Sequence, residues 1–313
     1  MKRNVLVLMS TYNGENYIKE QIDSIMKQGI CGDVILRIRD DGSTDGTVEC
    51  IYQCQNKYGD RIKLIIGENK GYNASYFELI HSVAKADIYD YYAFSDQDDV
   101  WLESKLEIAA RELDKVQIQN GKDSPLLYAS TSYLVHDDLK PYGQTRRKQR
   151  PLTIYNTAIQ NICPGHTQVM NEKLLRLIQD QKVDPSRIYV YDSWITSQAA
   201  LYGKIVFNNS SFTFYRQHKG NQLGSGAGKL GQIMASIKRN ESGDGYKYRK
   251  QVEYLVEMDK NELRRQGYYD ELSRFIHAKS LKEKAVYLSR SKLYRQNRIE
   301  SAVFHIAVLS GKY

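Results

Sequence analysis

The sequence predicts an α/β fold with a Rossmann-like, mostly parallel central sheet, flanking helices and a C-terminal helical extension. Three observations lead to this prediction. Short apolar runs alternate with helical patterns through the first part of the chain, which is typical of repeated strand–loop–helix units. A polar loop follows each of these runs, and the carboxyl ends of parallel strands share one edge of a sheet. From residue 229 onward the pattern is instead helical, polar and basic.

Four apolar runs predict the parallel strands. They are Val5–Met9, Val34–Ile38, Ile62–Ile66 and Tyr91–Phe94. The first of them, Val5–Met9, is a continuous apolar run, which is typical of a strand that is buried on both faces. A helical repeat follows each strand, as Ile18, Ile22 and Ile25 do after the first, and right-handed crossovers would bring all four loops to one edge.

The sequence becomes less regular after a further predicted strand at Leu126–Ala129. Ile205–Phe207 and Phe212–Tyr215 are predicted to be short strands of a hairpin, because the polar segment 208–211 joins them. The Gly-rich segment 224–228 suggests a hinge or a mobile lid. We place a boundary there, with residues 1–228 as the α/β domain and residues 229–313 as a basic helical C-terminal region.

The C-terminal region carries the positive charge of the chain. Residues 229–313 hold 18 Lys and Arg against 10 Asp and Glu, which accounts for the whole net charge of +8. Amphipathic helices with basic flanks favour an anionic membrane surface, whereas a helical cap on the α/β domain or a contact between protomers of a homo-oligomer are the alternatives. Charge alone would also suit nucleic acid, but no recognition motif accompanies it, so we predict no nucleic-acid partner.

The remaining composition favours a cytoplasmic protein. The four cysteines form no C-x-x-C pair, which indicates reduced thiols. The apolar run Val5–Met9 is too short for a signal peptide and is interpreted as a strand. We find no apolar run long enough to span a bilayer.

Three carboxylates follow the fourth strand within four positions. Asp96, Asp98 and Asp99 repel one another at this spacing, and a hard cation that prefers oxygen ligands would offset that repulsion. An Asp-rich surface turn is the alternative for such a segment taken alone. The dinucleotide fingerprint G-x-G-x-x-G and the Walker motif are both absent after the first strand.

Four strand-end motifs together resemble a known family. Residues 11–13 read Thr-Tyr-Asn, residues 40–45 read Asp-Asp-Gly-Ser-Thr-Asp, residues 69–71 read Asn-Lys-Gly, and residues 96–99 read Asp-Gln-Asp-Asp. In this order they resemble the GT-A-fold, family 2 inverting glycosyltransferases. Phe94–Trp101 and Tyr215–His218 further resemble a bacterial rhamnosyltransferase subgroup, which uses dTDP-β-L-rhamnose to build cell-wall or capsular polysaccharide.

The resemblance implies a nucleotide site. The nucleotide-binding residues would be Thr11, Tyr12, Asn13, Asp41, Asn69, Lys70, Asp96 and Arg216. Thr11 and Tyr12 would pack against the base, and Asp41 would accept the pyrimidine N3–H. A core aromatic is the alternative for Tyr12, and a solvated turn is the alternative for Lys70.

The resemblance also implies a metal site and an acceptor site. Asp98 would bind Mg²⁺ or Mn²⁺ directly, Asp96 would contact ribose or the metal, and His218 could also reach the metal. Gly165, His166, Trp194 and Trp101 would lie on the side of the sugar and the acceptor. The alternative for His166 is a loop histidine whose hydrogen bonds are made within the protein and which binds no ligand.

Asp192 would be the general base, although the chain reads Tyr191-Asp192 where many family members have Glu-Asp. A positioned base contributes about 10²–10⁴ in rate. The alternative is a helix N-cap.

The implied function is metal-dependent, inverting transfer of L-rhamnose to a lipid-linked saccharide at the inner face of the cell membrane. A UDP-hexose donor, or a non-catalytic protein that binds sugar nucleotides or nucleic acid, are the alternatives. The basic run at residues 146–150 would contact phosphate on the acceptor or lie in a solvated loop.

Overall fold

The structure is a computed structural model that describes residues 2–121, 123–217 and 244–313. Its strands are β1 Val5–Thr11, β2 Val34–Asp40, β3 Ile62–Ile66, β4 Tyr91–Ser95, β5 Val100–Trp101, β6 Leu126–Val135, β7 Pro141–Gln144, β8 Val169–Asn171 and β9 Lys204–Arg216. Its helices are α1 Ile18–Met26, α2 Thr47–Tyr58, α3 Tyr72–His81, α4 Lys105–Asn120, α5 Ile154–Thr157, α6 Glu172–Asp180, α7 Tyr191–Tyr202, α8 Asp244–Met258, α9 Lys260–Arg265, α10 Tyr269–His277, α11 Leu281–Leu288 and α12 Arg298–Leu309.

The first four strands confirm the predicted parallel half of the fold. They lie in the order β3-β2-β1-β4, and every neighbouring pair among them is parallel. Leu6 and Leu8 of β1 face one layer of helices, while Val5 and Val7 face the other. β1 and β4 are buried on both faces, which explains their continuous apolar runs. β2 includes two arginines, and β3 at the end of this strand order is partly exposed.

The sheet continues with strands that the sequence marks less clearly. β8 joins β4 and β6 by antiparallel pairing, and β9 then pairs with β6 in parallel. The short strands β5 and β7 add antiparallel pairs to β9 and β6. The sheet in the described residues is therefore mixed, with helices on both faces.

The predicted hairpin at residues 205–215 is wrong, because these residues form the single strand β9. The register against β6 shifts between Ser130 and Thr131, whose partners are Asn208 and Ser211. Residues 209 and 210 therefore form a bulge. The Asn209 side chain accepts a hydrogen bond from the Lys148 N–H at 2.8 Å and donates one to the Lys148 carbonyl at 3.2 Å. The polar residues that suggest a turn serve instead to hold a neighbouring loop.

The C-terminal helices pack against the rest of the protein. Tyr254 of α8 stacks on Trp194 of α7 at 5.2 Å between ring centroids. Phe275 and Phe304, from α10 and α12, belong to the same buried cluster as the β1 leucines. This confirms a helical extension and shows that it shares a hydrophobic core with the sheet. Within the described ranges, the helices all lack the length and apolar character that crossing a membrane requires.

Candidate active site

A cavity of about 1670 Å³ opens where β1, β2 and β4 end. Many of the residues singled out from the sequence line it. These are Thr11, Tyr12, Asp41, Asn69, Lys70, Asp96, Asp98, Gly165, His166 and Asp192. The strand-end loops therefore converge on one site, which is where an open α/β sheet binds its ligand.

The other selected residues lie elsewhere. Among the residues that the structure describes, Asn13, Trp101, Trp194 and Arg216 are not part of the cavity wall. His218 lies outside the described residues. Asn13 adopts a left-handed backbone conformation with φ of 49°, and its side-chain oxygen accepts the Thr44 N–H at 2.8 Å. It thereby joins the loops after β1 and β2.

Tyr12 is exposed at the cavity mouth, and Gln97 holds its backbone. The Tyr12 side chain is 46% exposed, so it is not a core aromatic. The Gln97 amide accepts the Tyr12 N–H at 2.9 Å and donates to the Tyr12 carbonyl at 3.0 Å. The Thr11 hydroxyl donates to the same amide oxygen at 2.5 Å. Gln97 therefore fixes the end of β1 against the Asp-rich loop.

Asp41 is buried and held from three sides. Its carboxylate forms an ion pair with Arg39 and accepts the backbone N–H groups of Lys70 at 3.0 Å and Gly71 at 2.9 Å. A carboxylate offers about four acceptor sites, so an N–H of a ligand can still bind. The Lys70 side chain pairs with Glu78 at 2.5 Å at the cavity edge.

Two of the three clustered carboxylates, Asp96 and Asp99, lie close to the His166 ring. The His166 Nδ1 lies 3.4 Å from Asp96 Oδ2 and 3.7 Å from Asp99 Oδ2. One donor atom from each residue lies within 4.8 Å of the others, so the trio could hold a metal ion. This trio differs from the set expected from the sequence, because it contains Asp99 and His166 rather than Asp98.

Asp99 is the most deeply buried member of this cluster. Its Oδ2 atom is buried with no hydrogen-bond partner among the described residues. Burial, reinforced by the charges of Asp98 and Asp96, raises the pKa of Asp99 well above its usual value. An unsatisfied buried carboxylate is costly, and a bound cation would remove that cost.

His166 is oriented by its neighbours. Its Nε2 lies 2.8 Å from the Ser132 hydroxyl, and its ring packs against Tyr215 at 4.5 Å between centroids. These contacts leave Nδ1 directed at the two carboxylates. A hydrogen bond at one ring nitrogen commonly fixes how the other binds a metal.

Lys105 supports this cluster from beneath. Its ammonium group donates to the His166 carbonyl at 2.8 Å and lies 3.0 Å from the centre of the Trp101 ring. Burial lowers the pKa of Lys105 well below its usual value. The Trp101 ring thus contacts a buried lysine, and Trp101 does not reach the cavity.

Arg216 contacts the Asp-rich loop from behind. Its Nε donates to the Asp98 carbonyl at 3.0 Å, and its backbone N–H donates to Asp99 Oδ1 at 3.3 Å. The guanidinium also pairs with Glu20 at 2.5 Å. In this structure Arg216 therefore positions the loop rather than facing the cavity.

Asp192 borders the cavity from the first turn of α7. Its Oδ2 accepts the Gly165 N–H at 2.8 Å, and its Oδ1 accepts the Ser193 N–H at 2.7 Å. Val190 is the N-cap residue of this helix. Burial raises the pKa of Asp192 to about 7, although these hydrogen bonds and one with Asn161 oppose the rise.

Gly165 is required by the contact with Tyr191. A Cβ at residue 165 would lie 1.9 Å from the Tyr191 hydroxyl. The Tyr191 ring is itself fixed by stacking on Tyr76 at 3.8 Å. Only glycine fits there, and its close approach places its N–H on Asp192. Trp194, two residues after Asp192, is fully buried against α8 and does not reach the cavity.

Sequence reasoning missed Gln97, Lys105 and Ser132. Gln97 lies inside the Asp-rich motif, and that position is a signal that could have suggested a role. Lys105 and Ser132 contact the site through residue 166, which is far away in the chain, so no local pattern marks this role.

Comparison with known proteins agrees with this arrangement. Residues 6–161 match the model of glycosyl transferase family 2. The dTDP-rhamnosyl transferase RfbG of Shigella flexneri is 30% identical over 226 residues, which cover 69% of this chain and 74% of that protein.

Solved structures show the same fold. TarS from S. aureus in complex with UDP-GlcNAc matches with a TM-score of 0.51 and 15% identity, over 99% of this chain and 91% of that one. The mannosyltransferase PcManGT from Pyrobaculum calidifontis, in complex with GDP-Man and Mn²⁺, matches with a TM-score of 0.53 and 14% identity, over 100% and 87%. With the strand-end motifs gathered around one cavity, these matches show that the chain is a GT-A-fold glycosyltransferase and belongs to glycosyl transferase family 2.

Proposed function

We propose that this glycosyltransferase transfers L-rhamnose from dTDP-β-L-rhamnose to a lipid-linked saccharide, with inversion at the anomeric carbon. One observation carries the proposal. The Asp192 carboxylate borders the same cavity as Asp96 and His166, and the buried Asp99 completes the cluster with these two residues without lining the cavity itself. The similarity to the Shigella flexneri rhamnosyl transferase supports rhamnose as the sugar.

The residues present fit a divalent cation. Two carboxylates and an imidazole converge, and one carboxylate oxygen is buried without a partner in the described structure. Carboxylates suit Mg²⁺ and Mn²⁺, and the imidazole favours Mn²⁺ of the two. Asp96, Asp99 and His166 would hold the ion, with Asp98 on the wall beside them. A bound cation would neutralise charge on the leaving diphosphate.

Asp192 would act as the base of a single displacement. Its carboxylate would take the proton of the acceptor hydroxyl as that oxygen bonds to the anomeric carbon. The bond from this carbon to the diphosphate oxygen breaks on the opposite face, so the configuration inverts. A pKa of about 7 suits a base that works near neutral pH.

The β1 and β2 loops would bind the nucleotide. Tyr12 offers an exposed ring to the base, and Asp41 offers a fixed acceptor for an N–H of a pyrimidine. Lys70 and Asn69 line the same wall. A UDP-hexose donor is the second candidate, because thymine and uracil present the same N3–H.

We further propose that α11 and α12 contact an anionic membrane surface, at the inner face of the membrane where a lipid-linked acceptor would be found. The exposed large apolar side chains on these helices are Leu281, Val286, Ile299, Ile306 and Leu309. Lys282 is exposed beside them, and Lys284 is half-buried. Apolar side chains with basic neighbours favour an anionic lipid interface.

Calorimetric titration with nucleotides tests the donor site. We expect dTDP to bind at least about tenfold more tightly with Mn²⁺ than with a chelator, because a cation held by Asp96, Asp99 and His166 would neutralise charge on the diphosphate. The Asp99→Asn variant should lose this dependence on Mn²⁺. Equal affinity with and without metal, or no binding of dTDP or UDP, would contradict the proposal. A donor screen with a synthetic lipid-diphosphate saccharide then identifies the sugar.

A further inference from the structure

The cavity extends beyond Asp192 into a second half formed by Arg146, the segment 184–190 and residues of the C-terminal region. This distal half is lined by Arg146, Arg187, Tyr189, Lys247, Tyr248 and Arg295. Lys247 and Tyr248 belong to α8, and Arg295 precedes α12. Of the basic run at residues 146–150, only Arg146 is part of the wall in the described structure.

The two halves of the cavity carry opposite charge. In the donor half, the carboxylates Asp41, Asp96, Asp98 and Asp192 outnumber the single cation Lys70 among the described lining residues. In the distal half, the cations Arg146, Arg187, Lys247, Lys250 and Arg295 outnumber the carboxylates Asp184 and Glu253 in the described lining. A cleft lined by one sign of charge attracts ligand groups of the other sign.

The segment from Ile159 to His166 connects the two halves. Most of its residues line the cavity. At its acidic end His166 faces Asp96 and Asp99, and Gly165 donates to Asp192. At its other end the Asn161 N–H donates to the Tyr248 hydroxyl at 3.1 Å. The reacting carboxylate therefore lies beside a wall that continues into the basic half.

Two cations of the distal half, Arg146 and Arg295, are connected to this same segment. Arg146 forms an ion pair with the buried Glu300 at 2.6 Å, and Glu300 accepts a hydrogen bond from Gln160 at 2.6 Å. Arg295 donates to the Tyr313 hydroxyl at 3.2 Å, and that hydroxyl donates to the Ile159 carbonyl at 2.9 Å. Held side chains lose less entropy on binding than mobile ones do.

Two tyrosines of the distal half lie next to its cation Lys247. The rings of Tyr189 and Tyr248 are 4.8 Å apart between centroids, and the Lys247 ammonium lies 5.7 Å from the Tyr189 ring centre. Tyrosine offers an apolar ring face together with a hydroxyl. Such a surface suits a sugar, while the neighbouring cations suit an anion.

We infer that the distal half binds a phosphate or diphosphate group carried by the acceptor saccharide. The inference deepens the proposed function and depends on it, since it assigns the chemical class of the acceptor. The donor diphosphate belongs beside the Asp96 cluster, whereas the acceptor hydroxyl must reach Asp192. An anionic group on the acceptor then lies against Arg146, Lys247 and Arg295.

Transfer assays with three acceptors test this site. The acceptors share one terminal sugar, which is joined to a short alkyl chain through a diphosphate, to a second sugar through a phosphodiester, or to the alkyl chain directly. The variant is Lys247→Glu, because Lys247 is exposed and its replacement should not affect folding. The matched control is Lys260→Glu, an exposed lysine of α9 that lies outside the described cavity wall.

We expect Lys247→Glu to raise the KM of a charged acceptor about tenfold or more, because charge reversal replaces an attraction by a repulsion. The kcat, the KM of the neutral glycoside and the affinity for dTDP should stay within about twofold. The charged acceptor whose KM rises more shows whether the phosphate belongs to a diphosphate on an alkyl chain or to a phosphodiester between two sugars. Lys260→Glu should behave as the parent protein does, and added salt should reduce the difference.

An equal change in KM for charged and neutral acceptors, or no change, would overturn the inference while leaving the proposed function intact. If the parent protein transfers to none of the acceptors, the proposed function fails instead. The distal half is then tested by titrating the alkyl diphosphate saccharide into protein saturated with dTDP and Mn²⁺. Binding that Lys247→Glu weakens supports the site, and binding that this variant leaves unchanged refutes it.

Discussion

Burial and hydrogen bonding have opposite effects on the pKa of Asp192. Burial favours the neutral carboxyl, while the N–H groups of Gly165 and Ser193 stabilise the charged form. Burial is the larger effect, and the pKa rises to about 7. A carboxylate with an ordinary pKa would be a weaker base, so the closed environment around Asp192 suits proton transfer from a hydroxyl.

The activity should therefore depend on the ionisation of Asp192. We expect kcat/KM to fall about tenfold per pH unit below about 7 and to level off above it, because only the deprotonated carboxylate accepts a proton. Initial rates over a range of pH measure this dependence. A profile that is flat through neutral pH would contradict the assignment of Asp192 as the base.

Asp192→Asn is the control for this profile. It should lower kcat by about 10²–10⁴ and leave the affinity for dTDP nearly unchanged. The pKa of Asp192 is higher in the folded protein than the ordinary 3.8, so its stabilising effect is complete below about 4 and is lost as the pH rises through about 7. The variant should thus gain stability relative to the parent protein as the pH increases.

The residues that could be predicted from the sequence are those within local motifs. Asp41, Asp96 and Asp192 lie on the cavity wall, and each follows or opens a recognisable element. The contact between His166 and Asp99 could not be predicted from the sequence. The two residues are far apart in the chain, and only the folded structure brings them together. Trp101 and Trp194 are buried for packing reasons that a sequence motif does not reveal.

At the scale of elements, the parallel half was predictable and the later half was not. Strands β1 and β4 carry continuous apolar runs because both of their faces are buried, whereas Arg37 and Lys63 interrupt the runs of β2 and β3. In β9, by contrast, Asn209 lies in a bulge and binds Lys148. Polar residues in a turn and in a bulge leave the same local pattern, and only the partner strand distinguishes them.

Helix α12 presents an exposed apolar face that suits a membrane surface. We expect the double variant Ile299→Glu and Ile306→Glu to bind anionic vesicles at least about tenfold more weakly, because burial of an isoleucine contributes about 1.5–3 kcal/mol. Vesicle sedimentation measures the bound fraction. Both side chains are more than half exposed, so the fold should remain intact.

Ile118→Glu is the matched control for this measurement. Ile118 is 84% exposed and lies on α4, outside the C-terminal region. This variant should bind vesicles as the parent protein does. Equal binding by the double variant and the parent protein would show that α12 does not contact the membrane.

At the scale of the whole molecule, the C-terminal region behaves as part of the core. Its aromatic side chains join the cluster that covers one face of β1, and Glu300 pairs with Arg146 in the loop after β7. The division at residue 228 stays a prediction. The sequence predicted helices here, but it could not predict which surface they cover, because that depends on pairs such as Trp194 and Tyr254.

Removing the C-terminal region should unfold the protein. A chain that ends at Gly228 would expose Trp194 and the apolar residues around it, and deleting even one large aromatic side chain from a core costs about 3–5 kcal/mol. Typical domains have only about 5–15 kcal/mol of stability, so we expect no cooperative thermal transition by circular dichroism.

Glu257→Ala provides the comparison for the truncation. Glu257 forms an exposed ion pair with Arg187 at 2.7 Å, and such pairs contribute only about 0–1 kcal/mol. This variant should unfold cooperatively near the temperature of the parent protein. A truncated chain that also unfolds cooperatively would show that residues 1–228 form an independent domain.

The contact between residue 165 and the Tyr191 hydroxyl also limits how this site can evolve. A Cβ at residue 165 would still lie 2.7 Å from the ring carbon of Tyr191 if the hydroxyl were absent, so Tyr191→Phe alone does not make room. A larger residue at position 165 is accessible only after the ring itself has been replaced. The order of mutations is therefore constrained, and the same substitution at residue 165 would be harmful in one ancestral background and harmless in another.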